Sequence, residues 1–143
     1  MHIGVASDHA GFRYKGLVAR HLRALGHEVV DFGTASEDPV DYPDFIRPLA
    51  AAAAEGKIER GFVFGGSGNG EAMVANRLRG VRCAVSWDRE SARLSRAHND
   101  ANVLSLGQRL VPEDEVLPIV DTWLGTPFEG GRHVARIRKI DEP

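Results

Sequence analysis

Short apolar runs alternate with longer amphipathic segments along the whole chain. That alternation is typical of strand-helix units built around a parallel sheet. The apolar runs predict five strands, HIGVA, HEVVDF, GFVF, RCAVSW and NVLSL, which start at residues 2, 27, 61, 82 and 102.

Helical periodicity fills the segments between these runs. Apolar residues recur at helical spacing from Phe12 to Leu25, and Gly26 stands where a glycine after a helix is favoured. An alanine tract predicts a second helix with Pro43 near its start, and we expect Pro48 inside it to bend or delay it. Further helices are predicted at about residues 72–78, 89–97 and 113–124, and after the glycines of GGRHVARIRKI.

Five short strands separated by helices predict a single doubly wound α/β domain over residues 1–143. We expect a five-stranded parallel sheet with helices on both faces, in a Rossmann-like arrangement. A closed barrel needs eight such units and roughly 250 residues. In the common strand order 2-1-3-4-5, ligands bind at the loops that leave strands one and three. The functional site is therefore predicted at residues 7–11 and 65–71.

Composition fits a globular protein and names no function. Hydrophobic residues make up 43% of the chain and charged residues 27%, far from the disordered and membrane classes. The formal net charge of -2 argues against nucleic acid as the main partner. The first residues turn polar too soon for a signal peptide, so a cytoplasmic protein without a membrane partner is expected. Cys83 lies in an apolar run and is predicted to be a buried, inert thiol.

A glycine-dense segment, GGSGNGE, follows the third predicted strand at residues 65–71. Its residues 66–70 are called the glycine loop below. Glycines let the backbone turn sharply, so that several N–H groups can point at one anion. The segment lacks the Gly-Lys-Ser/Thr ending of a Walker A loop, and its glycine spacing does not match the dinucleotide motif. A tight turn without a ligand is the competing interpretation.

Glu71 directly follows the glycine loop, at the mouth of the next predicted helix. A carboxylate in that place can remove a proton while the loop N–H groups stabilise the oxyanion that results. Taken alone, Glu71 is better explained as an acid at a helix N-terminus, where the helix dipole favours negative charge.

Two polar pairs flank the predicted sheet. Asp8 and His9 leave the first strand, where Asp8 suits sugar hydroxyls and His9 suits a phosphate or a proton shuttle. Asp8 also suits a cap for the following helix. His98 and Asn99 end the helix before the fifth strand, and His98 alone is explained as a cation at a helix C-terminus.

Basic residues cluster near the end of the chain. Arg132 and Arg136 stand four residues apart on one predicted helical face beside His133, so both guanidiniums can close on one phosphate. Arg109 is a candidate for a third. The competing interpretation is a solvated basic tail. The remaining histidines have no metal-ligand spacing, so no metal site is predicted; they are His2, His21 and His27.

With these residues collected, the chain resembles the type B ribose-5-phosphate isomerase family, which also includes galactose-6-phosphate isomerase subunits. The resemblance covers nearly the whole chain. It rests on SDHAGF near the start, DYPDF around Tyr42, GGSGNGE, SRAHNDANVLSLGQR from Ser95 to Arg109, and the closing GGRHVARI.

The resemblance implies a doubly wound fold, a sugar phosphate substrate, no cofactor or metal, and homodimers or tetramers with active sites at a subunit interface. Many family members have a cysteine base where this chain has Gly65, so the chain is similar to the subgroup in which the glutamate after the loop takes over. The catalytic residues that follow are Glu71, His98 for ring opening, and Ser67. The implied substrate-binding residues are Asp8, His9, Tyr42, Gly66, Gly68, Asn69, Gly70, Asn99, Arg109, Arg132, His133 and Arg136.

The predicted activity is the interconversion of ribose 5-phosphate and ribulose 5-phosphate through an enediolate. Glu71 is the predicted base, and the N–H groups of the glycine loop are the predicted oxyanion hole. Two alternatives stay open: isomerisation of a six-carbon aldose phosphate, and a non-catalytic phosphosugar sensor that uses the same crevice. A sensor needs no carboxylate over the substrate carbons, whereas an isomerase fails without one.

Overall fold

The protein is described by a computed structural model that covers residues 1–143. Five parallel strands form one sheet, and each predicted apolar run supplies one of them. They are β1 (His2–Ser7), β2 (Glu28–Asp31), β3 (Arg60–Gly65), β4 (Cys83–Ser86) and β5 (Val103–Gly107). The predicted α/β class is confirmed.

Six helices connect or follow the strands. They are α1 (Phe12–Ala24), α2 (Pro43–Ala54), α3 (Asn69–Ala75), α4 (Arg89–Asn99), α5 (Glu113–Gly125) and α6 (His133–Ile140). Gly26 follows α1 with a φ of 89°, the left-handed conformation that glycine adopts readily after a helix. No helix combines the length and the apolar character that a membrane span requires.

The helix α2 tolerates its internal proline. It starts at Pro43 and continues past Pro48 without a break, so the predicted delay is wrong. Pro48 lies early in the helix, and its missing N–H removes one intrahelical hydrogen bond there. The buried side chains of Ile46 and Leu49 hold this part of α2 on the sheet.

The helix α3 covers residues 69–75 rather than the predicted 72–78. It starts early because Gly68, with a φ of 84°, turns the chain directly into the helix. It ends early because the Asn76 side chain bonds the backbone of Cys83 twice, donating to its carbonyl and accepting from its N–H, both at 2.8 Å. The early start places Glu71 inside the first turn.

The strand order is β2-β1-β3-β5-β4, so the predicted order 2-1-3-4-5 is wrong at one edge. β5 pairs with β3 on one side and with β4 on the other. Burial gives the physical reason, since β5 is buried at all five positions and β4 at only one of four. The pairing of β1 with β3, on which the predicted site depends, is as expected.

Side chains of the sheet pack against helices on both faces. Phe62 and Phe64 face α1, α4 and α5, and the Trp123 ring meets Phe62 edge-on with 5.0 Å between centroids. Val63, between them in β3, points to the other face and packs with residues of α2 and α3. The predicted covering of both faces is confirmed.

Parallel strands place all their carboxyl ends at one edge of the sheet. β1 leads there into Asp8 and His9, and β3 leads into the glycine loop. In contrast, α4 carries the chain from the carboxyl end of β4 back to the amino end of β5. His98 and Asn99, at the end of α4, therefore lie at the opposite edge.

Candidate active site

A cleft of about 390 Å³ opens at the carboxyl ends of β1 and β3. This is where the sheet topology predicted a ligand site. The residues that line it are Asp8, His9, Ala10, Tyr42, Gly66, Ser67, Gly70, Glu71, Arg109 and Leu110. All but Ala10 and Leu110 are among the residues that the sequence predicted.

A second cavity of about 400 Å³ lies between α3 and β4. Its lining residues are Asn69, Ala72, Met73, Asn76, Arg77, Cys83 and Val85. It has no carboxylate and no histidine, so the cleft is the better candidate for acid-base chemistry although the two volumes are similar. The predicted residue Asn69 lines this second cavity and not the cleft.

The glycine loop is fixed through its carbonyl groups. Ser105 Oγ donates to the carbonyl of Gly68 at 2.7 Å, and the N–H of Arg109 donates to the carbonyl of Gly66 at 3.0 Å. The N–H groups of Gly66, Ser67 and Gly68 donate to no group of the chain. Successive free N–H groups of this kind form a concave site for an anion. In a plain tight turn these N–H groups would bond water, whereas in a ligand site they are available to an anion.

Glu71 is buried in the first turn of α3, with 3% of its surface exposed. Burial, and to a smaller extent the negative charge of Asp8, raises the pKa of the Glu71 carboxyl above its ordinary value. A carboxylate with a raised pKa is a stronger base, which suits proton abstraction near neutral pH. Glu71 also lies in the first turn of a helix, as the competing interpretation expects, and the two interpretations are compatible.

Gly65 provides the space that Glu71 occupies. A Cβ added to Gly65 would fall on the Glu71 carboxyl group. Any side chain at the end of β3 would therefore displace the carboxylate from its place in front of the glycine loop. The absence of a side chain at position 65 brings a base and the free N–H groups together.

Asp8 and His9 form the opposite wall of the cleft. Asp8 Oδ1 accepts from the N–H of Gly11 at 3.1 Å in the turn before α1, so Asp8 stabilises this turn as well as lining the cleft. His9 Nδ1 accepts from the N–H of Val40 at 3.1 Å. That bond places the imidazole proton on Nε2, which leaves Nε2 as a donor for a ligand.

The other predicted residues gather at the far edge of the sheet. His98 and His133 stack with their ring centroids 4.5 Å apart, and Asn99 follows His98. Arg132 and Arg136 are exposed, while burial and the positive charge of Arg132 lower the pKa of His133. None of these five residues lines the cleft. The predicted site residues thus form two separate groups within one chain.

Comparison with known proteins gives the family. The model of a family described as Ribose/Galactose Isomerase matches residues 3–140, nearly the whole chain. The chain belongs to this isomerase family.

Curated relatives and solved structures agree with that assignment. Ribose-5-phosphate isomerase B of Escherichia coli (strain K12) is 42% identical over 138 residues, which are 96% of this chain and 93% of that protein. The structure of ribose-5-phosphate isomerase B from Clostridium thermocellum is similar with a TM-score of 0.97 at 48% identity, covering 99% of this chain and 95% of that one. Ribose-5-phosphate isomerase B from Mycoplasma genitalium, with bound ribulose-5-phosphate, gives 0.94 at 40% identity over 97% and 93%.

This member of the ribose/galactose isomerase family has no thiol in its cleft. Cys83 lies at the start of the edge strand β4, and the residue is half-buried, so its predicted burial is only partly confirmed. Desolvation nevertheless raises the pKa of the Cys83 thiol, which keeps it protonated at neutral pH. The prediction of an inert thiol is supported.

One residue of this isomerase near the second group was not predicted. Glu129 Oε2 lies 3.7 Å from Nε2 of His98 and 3.7 Å from Nε2 of His133. The sequence shows that Glu129 stands four residues before His133, a spacing that can bring side chains together. His98 comes from another helix, however, and no spacing along the chain joins it to the other two.

Proposed function

We propose that this chain is an aldose-ketose isomerase that interconverts ribose 5-phosphate and ribulose 5-phosphate. The observation that carries the proposal is the buried Glu71 carboxylate in the cleft, next to a loop with free N–H groups. The names of the relatives and the ribulose-5-phosphate in the Mycoplasma genitalium structure support this substrate. The proposed partner is thus a small sugar phosphate, and the cytoplasmic location stays a prediction.

Glu71 is the base that transfers a proton between C2 and C1. It takes the proton from C2 of the open-chain aldose and returns it to C1 of the enediolate, while the C2 hydroxyl proton moves to O1. The free N–H groups of the glycine loop stabilise the negative charge that develops on oxygen. Ser67 Oγ accepts from the N–H of Asn69 at 3.2 Å, so its own proton is free to bond the substrate oxygens.

Ring opening and phosphate binding need the second group of residues. Ribose 5-phosphate is mainly a furanose in water, so its ring must open before Glu71 can act. His98 is the ring-opening residue, and Arg132 and Arg136 bind the phosphate. These residues lie at the edge of the sheet opposite to Glu71, so one chain cannot bring both groups to one substrate.

We infer a homodimer in which the cleft of one subunit faces the edge of the sheet where His98 lies in its partner. Within one chain, the two groups of site residues lie at opposite edges of the sheet. In a dimer, the first group of each subunit can meet the second group of its partner, so that each pair forms a complete site. Exposed apolar side chains favour the same conclusion, since Met73, Trp87 and Leu110 are 67%, 63% and 64% exposed. Leu110 lies on the wall of the cleft itself, where a partner subunit would cover it.

Glu71 also argues against a sensor that only binds phosphosugars. Burying a carboxylate is unfavourable, and a binding protein gains nothing from a buried base with a raised pKa. The arginines would serve a sensor equally well, so they do not distinguish a sensor from an isomerase. Exchange of a substrate proton with solvent does distinguish them, because only an isomerase catalyses it.

The proposed function is tested by incubating the purified protein with ribose 5-phosphate and with ribulose 5-phosphate in the presence of a chelator. We expect each sugar to be converted into the other, with no loss of rate from the chelator. A matched incubation with a six-carbon aldose phosphate should be slower. Absence of conversion by correctly folded protein would contradict the proposal. Faster conversion of the six-carbon sugar would mean that the preferred substrate is a six-carbon aldose phosphate.

A further inference from the structure

Glu129 joins two histidines from different helices at the far edge of the sheet. Its Oε2 lies 3.7 Å from Nε2 of His98 and equally far from Nε2 of His133. The two imidazole rings stack with 17° between their planes. These three residues are called the histidine-glutamate cluster below.

The backbone fixes Glu129 beside His98. The N–H of Glu129 donates to the carbonyl of Ala97, the residue before His98, at 3.0 Å. Gly130, with a φ of 69°, then turns the chain into α6 and brings His133 back beside Glu129. The carboxylate is thus anchored through its own backbone to the helix end that carries His98.

His133 completes the cluster from the other side. It is 8% exposed, and its Nε2 is buried without a hydrogen-bond partner. Burial lowers the pKa of His133, so a neutral ring stacks on His98 with one N–H to donate. Glu129 is the carboxylate that faces this nitrogen. Because a buried nitrogen without a partner is unfavourable, a small closing movement onto Glu129 is favoured.

The cluster has the composition of a zinc site but not its geometry. Two histidines and a glutamate bind zinc in several enzymes, and the ligand atoms here lie within 4.8 Å of one another. An imidazole binds a metal in the plane of its ring, however, and two nearly parallel stacked rings do not aim at one ion. Arg132 and Arg136 also bring positive charge to His133, which disfavours a cation.

We propose that Glu129 is a positioning residue for the ring-opening step, an inference that rests on the proposed isomerase function. From its present 3.7 Å, the Glu129 carboxylate would close on Nε2 of His98 and accept its Nε2–H. This fixes the tautomer in which Nδ1 of His98 has the free lone pair and faces the substrate. A carboxylate behind a histidine has this effect in Ser-His-Asp triads. The same closing movement would let Nε2 of His133 donate to this carboxylate, and stacking of His133 already holds the plane of the His98 ring.

The proton balance of the step follows from that tautomer. Nδ1 of His98 takes the proton of the C1 hydroxyl, and the bond between C1 and the ring oxygen O4 breaks. C1 becomes an aldehyde, and the imidazolium gives the proton to O4. Glu129 stabilises the imidazolium between these two transfers. One proton has moved from O1 to O4, and His98 returns to its starting state.

The variant Glu129→Gln separates this role from proton transfer by Glu71. Ribose 5-phosphate arrives as a ring, whereas ribulose 5-phosphate is open-chain because its C5 oxygen carries the phosphate. We expect turnover of ribose 5-phosphate to fall about tenfold or more, as happens when a partner behind a functional histidine is lost. Exchange of the C1 proton of ribulose 5-phosphate with deuterated water should keep the wild-type rate.

The matched control is Glu55→Gln, which removes an exposed carboxylate paired with Lys57 at the surface. It should change neither rate. A Glu129→Gln variant that slows both reactions equally, or neither, would overturn the proposal. Wild-type protein without activity on either sugar would instead overturn the proposed function.

The tautomer of His98 gives a second test that needs no catalysis. Nitrogen NMR shifts of the wild-type protein should show His98 with its proton on Nε2. In Glu129→Ala, which lacks the acceptor, we expect a mixture of both tautomers. A proton on Nδ1 in the wild type, or an unchanged tautomer in Glu129→Ala, would overturn the role of Glu129 whatever the activity assays show.

Discussion

At the scale of single residues, Glu71 and Gly65 depend on each other. The Glu71 carboxylate occupies the space where a Cβ at position 65 would lie. We expect Gly65→Ala to displace the carboxylate and to lower kcat by ~10²–10⁴-fold, the usual contribution of a positioned general base. Steady-state kinetics with ribose 5-phosphate measure this effect.

The control for that substitution is Gly125→Ala. Gly125 ends α5, and a Cβ there would meet open space, so activity should be unchanged. The added methyl group should raise the melting temperature slightly, since alanine favours a helix over glycine by up to about 1 kcal/mol. A Gly65→Ala variant with normal kcat would mean that the carboxylate is not required at this place.

The raised pKa of Glu71 also predicts how stability depends on pH. A carboxyl whose pKa is higher in the folded state binds its proton more tightly there, so folding loses stability as pH rises through the folded pKa. Glu71→Gln has no such loss. The melting temperature of the variant relative to the wild type should therefore increase from pH 4 to pH 8. A difference that is constant or decreases over this range would contradict the raised pKa.

Glu71 illustrates how far single residues could be predicted. Its place after the glycine loop and before a helix was visible in the sequence, and this place made it a candidate base. Its burial and its fit beside Gly65 were not, because both depend on how β3 and α3 pack. Glu129 was missed for a similar reason, since it meets His98 only where the segment before α6 packs against the end of α4.

At the scale of secondary-structure elements, the glycine loop is held by β5. Ser105 is fully buried on β5, and its hydroxyl donates to the carbonyl of Gly68. Ser105→Ala leaves that carbonyl without its partner, which should cost about 1–3 kcal/mol of stability. The loosened loop should also stabilise the enediolate less, so kcat should fall while KM changes little.

Ser95→Ala is the matched control for Ser105→Ala. Ser95 is also buried, and its hydroxyl accepts from Trp123 Nε1 at 3.0 Å, away from the loop. It should lower the melting temperature by a comparable amount and leave kcat intact. If both variants lost kcat equally, the effect would be general destabilisation and the role of Ser105 in shaping the loop would be wrong.

The elements themselves were predicted well where periodicity is strong. All five strands and the long helices appear at their predicted places, because apolar alternation and helical spacing are local signals. The order of β4 and β5 was wrong, because burial of a whole strand on both faces is decided by tertiary packing. The start of α3 was wrong because the left-handed turn at Gly68 has no periodic signal.

At the scale of the whole molecule, the proposed site requires two subunits. We expect Glu71→Gln and Arg136→Ala to be poorly active alone but to recover activity when mixed under conditions of subunit exchange. In each hybrid dimer one site combines the intact Glu71 with the partner's intact Arg136. Random exchange then restores about a quarter of the wild-type activity, since half of the dimers are hybrids with one good site of two.

The mixing experiment uses a low concentration of ribose 5-phosphate, at which weakened phosphate binding limits Arg136→Ala. Mass spectrometry of differently tagged subunits shows whether exchange has occurred. Proven exchange without recovery would contradict a site shared between subunits. The family resemblance predicted such sharing, and the two separate groups in one chain now give it a structural reason.

The central claim is that Glu71 is the base, and it is tested most directly by exchange of the C2 proton of ribose 5-phosphate with deuterated water. Glutamine has the size of glutamate and can form hydrogen bonds but cannot accept the proton. We predict that Glu71→Gln folds and binds the substrate normally, while C2 exchange falls at least ~10²-fold below the wild-type rate. Exchange at near the wild-type rate in this variant would contradict the account.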